Sequence, residues 1–239
     1  MPVSLHHITQ ILFLDIETVS ITEDFERLSP ALQKHWLKKA ESLDKEKDGS
    51  LLYNERAAIY AEFGKVIVIG VGFFHFIEGS QEMQFRCKAF ADHDEKKLLT
   101  EFAQFMHKGR HQFLCAHNGK EFDFPYLCRR MVVNGTPLPS VLDISGKKPW
   151  EIAHFDTLEL WKFGDRKSYT SLDLMATILD VTGSKDDIDG SEVGKVYYQE
   201  KNLERIAVYC KKDVVTLAQV FLRLNGHQPL PAENVVLVD

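Results

Sequence analysis

The chain has 239 residues, 44% of them apolar, and a formal charge of −6. That apolar content can bury a substantial core, and the size fits a single α/β domain with one insertion better than two independent domains. The negative charge argues against tight nonspecific duplex binding, which lysine and arginine on phosphates would dominate, and no apolar run is long enough to span a membrane.

In chain order, Ile11-Leu12-Phe13-Leu14-Asp15-Ile16-Glu17 reads as a strand apolar on both faces, the pattern of a central strand covered on both sides. Side chains alternate along a strand, so Asp15 and Glu17 point the same way at its C-terminal end, where open α/β sheets place ligands. Asp-x-Glu recurs at Asp24-Phe25-Glu26 and Asp44-Lys45-Glu46, but neither copy has such a strand. A helical, charged stretch follows near 30–62, and its Leu32 to Gly49 part, rich in Lys and Glu, reads as a solvated insertion.

Strands are predicted near 65–76 and 82–90, a helix over 94–108 and a strand over 112–117. Asn118-Gly119 is a turn, and a helix over 123–133 begins with Asp123 in its first turn, where Pro125 is tolerated. Asp123 there suits a helix cap or an outer contact to a cation, and a carboxylate has acceptor sites for both. A weaker strand pattern near 153–158 and a helix over 171–180 follow.

The last helix, 202–224, opens at Asn202 and carries Leu203, Ile206, Ala207, Cys210, Val214, Leu217, Ala218 and Phe221 as its apolar stripe. Asp213 falls inside that stripe and Tyr209, one turn earlier, shares its face. A buried carboxylate costs several kcal/mol, so a cation or hydrogen-bond donors must meet it. A Lys or Arg partner beside a core tyrosine is the plain alternative. From Gln228 on, with Pro229 and Pro231, the chain reads as a tail.

Cys87, Cys115, Cys128 and Cys210 form no Cys-x-x-Cys pair and no zinc-like spacing with the histidines, so reduced thiols in a cytoplasmic protein are expected. No leader pattern or Gly-rich phosphate loop is read. Basic pairs stand at Arg129-Arg130, Lys147-Lys148, Arg166-Lys167 and Lys211-Lys212, each more often a solvated surface than a phosphate clamp. If Asp15, Glu17, Asp123 and Asp213 converge, their mutual repulsion calls for divalent cations between them.

This ordered acidic set resembles the DEDD superfamily, and within it the predicted exonucleases related to the proofreading domain of family B DNA polymerases. Asp15-Ile16-Glu17-Thr18 matches the first motif, Asn118 with Phe122-Asp123-Phe124-Pro125-Tyr126-Leu127 the second, and Tyr209 with Asp213 the third. The histidine variant needs His five residues before the final Asp, where Val208 stands, so the tyrosine subclass (DEDDy) is implied. The resemblance runs from about Ile11 to about Leu224.

It implies an α/β fold, a ribonuclease H-like mixed sheet flanked by helices, with a helical insertion at about 22–63 after the first strand. An exonuclease domain over 1–227 and a C-terminal tail over 228–239 are expected. The implied activity is metal-dependent 3′–5′ exonuclease action, releasing nucleoside monophosphates from single-stranded 3′ ends, DNA being favoured over RNA. Asp15, Glu17 and Asp213 would hold one Mg²⁺ or Mn²⁺ ion, and Asp15 with Asp123, through water, a second. Tyr209 would position the attacking water, and Thr18, Asn118 and Phe122 would contact the terminal nucleotide. Two alternatives stay open: an exoribonuclease on the same scaffold, and a catalytically silent nucleic-acid or protein binding module.

Overall fold

A computed structural model describes residues 3–109, 111–165, 169–181 and 188–238. After a short helix α1 (Leu5–Ile8), strand β1 (Ile11–Ser20) leads into helices α2 (Pro30–Leu43) and α3 (Gly49–Arg56). Strands β2 (Gly64–Phe76) and β3 (Met83–Ala91), helix α4 (Glu95–Lys108), strand β4 (Phe113–Ala116) and helix α5 (Asp123–Asn134) follow. The rest comprises β5 (Phe155–Asp156), α6 (Thr157–Lys162), α7 (Leu172–Ile178), α8 (Val193–Tyr198), α9 (Leu203–Leu224) and β6 (Val235–Leu237).

The strands form one six-stranded sheet in the order β5-β4-β1-β2-β3-β6. β2 pairs antiparallel with both β1 and β3, while β4 joins β1, β5 joins β4 and β6 joins β3 in parallel. The result is the mixed, helix-flanked α/β sheet that the sequence implied. No helix among the described residues is long and apolar enough to cross a membrane.

The two-faced apolar pattern of β1 explains why it sits centrally. Leu12, Leu14 and Ile16 pack under α4 and α5 with Leu99, Phe102, Phe124 and Leu127, whereas Ile11 and Phe13 pack under α9 with Val214, Leu217 and Phe221. Asp15 and Glu17 continue the odd-numbered row, so they lie on the α9 face. The helix ends are capped as their sequences indicate: Asp94 accepts from the Lys96 and Lys97 N–H groups, and Asn202 from that of Arg205.

Three expectations change in detail. The insertion is not simply solvated, because Trp36 and Tyr53 are fully buried in a small core of their own with Leu28, Leu52 and Phe63. The Trp36 indole N–H donates to the Gly49 carbonyl at 2.7 Å, which ties α2 to the start of α3. The pattern near 153–158 shrinks to the two residues of β5, since Asp156 caps α6 immediately afterwards by accepting from Leu158 and Glu159. In the stretch read as a tail, Val235–Leu237 adds parallel to β3, pairing Phe85 with Val235.

Candidate active site

β1 delivers Asp15 half-buried and Glu17 buried at the end of the sheet that β4 leaves open, since β4 pairs only with Ile11–Phe13. The open edge has a local consequence. Asp123, buried in the first turn of α5, accepts the backbone N–H of Ile16, the residue between the two β1 carboxylates. It also accepts its own backbone N–H at the start of α5, whose boundary residue, Phe122, makes no side-chain cap bond. The turn leading to it is held by Asp156, which accepts the Asn118 N–H at 3.0 Å and the Lys120 N–H at 3.1 Å.

α9 approaches from the other face. Gly70 on β2 pairs with Asp15, and a Cβ there would lie 2.8 Å from both Cys210 Sγ and Val214 Cγ2. The missing side chain lets α9 settle directly on the sheet beside Asp15. That brings Asp213 close enough to act on both Asp15 and Glu17, and it brings Tyr209 in hydrogen-bonding contact with Asp213. Acceptable ligand atoms of Asp15, Glu17 and Cys210 all lie within 4.8 Å of one another.

The electrostatics follow from this crowding. Burial first, then Asp123 and Asp213, hold the Asp15 carboxyl well above the usual carboxylate range. Burial, then Asp15, Asp213 and Asp123, do the same to Glu17. Asp123 is pushed up to about 7, chiefly by burial and further by Asp156, against its own backbone N–H and that of Ile16, which lower it. The Tyr209 hydroxyl is raised far above an ordinary phenol by burial and by Asp213, Glu17 and Asp15, so it stays protonated. Buried acids crowded together in this way are a place for multivalent positive charge, and carboxylate oxygens are hard donors of the kind divalent cations take.

A family model described as predicted 3′–5′ exonuclease related to the exonuclease domain of PolB matches residues 60–230. The chain belongs to this family. The matched span of the PolB-related exonuclease contains Asp123, Tyr209 and Asp213, and it is the fold that adds Asp15 and Glu17 to them. Among solved structures, the family B DNA polymerase from the hyperthermophilic archaeon Pyrobaculum calidifontis is similar at 16% identity with a TM-score of 0.56. The likeness covers 89% of this chain and 24% of the polymerase, and at that identity it establishes the fold, which is ribonuclease H-like. No match was found among curated proteins. Membership in the PolB-related exonuclease family implies a nucleic-acid substrate and use of divalent metal.

The structure places the nucleotide-contact candidates of this family member less uniformly. Thr18 uses its hydroxyl on the Ala58 carbonyl at 2.9 Å. Asn118 sits in the left-handed region at φ 61°, and Phe122 packs part-buried against the core with its ring 5.3 Å from Tyr126. The duplicate acidic motifs stay local: Asp24 pairs with Arg27, and Asp44 takes the Glu46 N–H. Of the basic pairs, Arg130 is buried with Glu95, its Nε 2.9 Å from Oε1, so it is neither a solvated surface nor a phosphate clamp. Arg166 and Lys167 lie outside the described residues.

Two residues of the site escaped the sequence reading. Cys210 counted as an apolar position of the last helix, yet its thiol reaches Asp15 Oδ2 at 3.3 Å. Asp156 carries a readable signal, an acid between a strand and a helix start, but its hold on the distant 118–120 turn is purely tertiary.

Proposed function

We propose that this chain is a two-metal-ion 3′–5′ exonuclease of the tyrosine subclass that releases nucleoside monophosphates from single-stranded 3′ ends, with DNA favoured over RNA. The observation that carries the reading is the convergence of carboxylates from β1, α5 and α9 on one partly buried spot, where Asp123 and Asp213 raise both Asp15 and Glu17. We assign the exonuclease domain to residues 1–227, with the insertion at about 22–63 as a part of it, and with Val235–Leu237 of the following stretch adding the last strand to its sheet.

Asp15, Glu17 and Asp213 would hold one Mg²⁺ or Mn²⁺ ion, and Asp15 with Asp123, through water, the second. When bound, such ions supply charge neutralisation at the phosphodiester and a lowered pKa for the attacking water. Tyr209 works by orientation. A phenol with an ordinary pKa of about 10 is a poor general base at neutral pH, and with its hydrogen on Asp213 its oxygen accepts from a water. Asp156 fixes the Asn118-Lys120 turn from below, so Asn118 and Phe122 are presented at a set position to a terminal nucleotide. Thr18 would approach it through its backbone, since its hydroxyl is engaged.

The test is an end-labelled assay on single-stranded DNA, single-stranded RNA and a mismatched duplex, each with Mg²⁺, Mn²⁺ or EDTA. Stepwise shortening of DNA from the 3′ end, abolished by EDTA and by Asp15→Ala or Asp213→Ala, is the expected result. Shortening of RNA in preference to DNA would make the chain an exoribonuclease. An absence of cleavage with either ion would leave a silent binding module.

A further inference from the structure

We propose that Cys210 is a positioning residue of this site: its thiol donates to Asp15 Oδ2 at 3.3 Å and sets the direction in which that carboxylate faces. The inference rests on the exonuclease reading above. Cys210 is fully buried, and its sulfur also lies 3.6 Å from the Asp15 carbonyl oxygen, so it sits against both the backbone and the side chain of the same residue.

The slot that holds it is made by the sheet. Gly70, the β2 partner of Asp15, is the residue whose absent side chain admits the sulfur, because any Cβ would stand 2.8 Å from it. One helix therefore supplies Tyr209, Cys210 and Asp213, and the middle one of the three registers α9 against β1 by a directional contact rather than by volume alone. A carboxylate that must face neighbouring acids and a cation gains from a donor behind it, which holds one oxygen and aims the other. Sulfur is a weak donor, but the acceptor is a carboxylate and the contact is shielded from water.

Two substitutions separate the hydrogen bond from packing. Cys210→Ser keeps a donor on a slightly smaller side chain, and Cys210→Ala removes it; both fit the slot, and circular dichroism checks that the full chain remains folded. Mn²⁺ binding is titrated by calorimetry for wild type and both variants, and melting temperatures are taken in EDTA. We expect Cys210→Ala to weaken Mn²⁺ binding roughly 10-fold, while Cys210→Ser stays much nearer wild type, with the metal-free melting temperatures of the two variants similar. Unchanged binding in Cys210→Ala overturns the assignment, and so does Cys210→Ser binding as weakly as Cys210→Ala, which would leave sulfur volume as the whole effect. A wild type that neither binds Mn²⁺ nor shortens DNA overturns the exonuclease reading and this inference with it, whereas an active wild type with an indifferent Cys210→Ala overturns this inference alone.

Discussion

Tyr209 is the residue whose proposed role is most sharply separable from packing. Tyr209→Phe keeps the ring beside Asp213 and deletes one hydroxyl, so the single-turnover rate should fall roughly 10- to 1000-fold while metal binding barely changes. Full activity in that variant would remove Tyr209 from the mechanism and leave the carboxylates in place. Asp123 makes a separate prediction about pH. Its folded pKa of about 7 stands above the 3.8 of an ordinary aspartate, so the metal-free protein has the full benefit of the protonated form below about pH 4 and loses it as pH rises to about 7. In EDTA, the melting temperature of wild type should therefore decline between those limits more steeply than that of Asp123→Asn. Coincident slopes would mean that Asp123 is not the group responsible. The carboxylates at Asp24 and Asp44, which serve local contacts, should tolerate alanine with near-normal turnover.

At the scale of elements, the site depends on how closely α9 lies against β2. Gly70→Ala would place a methyl group 2.8 Å from Cys210 Sγ and Val214 Cγ2, and 3.2 Å from the Cys210 carbonyl. Overpacking of this kind costs about 1–3 kcal/mol. The larger effect should be kinetic, because a helix lifted from the sheet carries Tyr209 and Asp213 with it, and a displacement near 1 Å can lower a rate roughly 100-fold. Rates measured well below the melting temperature of the variant isolate this displacement from instability; wild-type turnover there would show that the close approach is dispensable. The same logic separates the insertion from the site. Its core around Trp36 and Tyr53 is its own, so damage there should reach the carboxylates through the strand β1, tied by Thr18 to Ala58, and through α5, tied by Tyr126 to Ala58 and by Arg130 to Ala61.

For the whole molecule, the crowded acids make the folded state a better ligand for divalent cations than the unfolded chain, and mass action then stabilises it. Saturating Mg²⁺ or Mn²⁺ should raise the melting temperature of wild type more than that of Asp15→Ala, and equal shifts would exclude Asp15 as a ligand. This collective property also marks where sequence reading stops. Periodicity is local, so the sequence by itself determined that Asp15 shares a strand face with Glu17 and that Tyr209 shares a helix face with Asp213, together with the α/β class. Four further things were decided only in three dimensions. The early end of β4 freed the Ile16 N–H for Asp123, so that acid serves the sheet edge as well as its own helix. The bare Gly70 let Cys210 reach Asp15, turning an apolar helix position into a polar contact. Val235–Leu237 found an edge at β3, and Trp36 found a core among charged helices. In each case the outcome hangs on which groups are left unpaired or unfilled once distant elements have met, and no spacing along the chain encodes that distance.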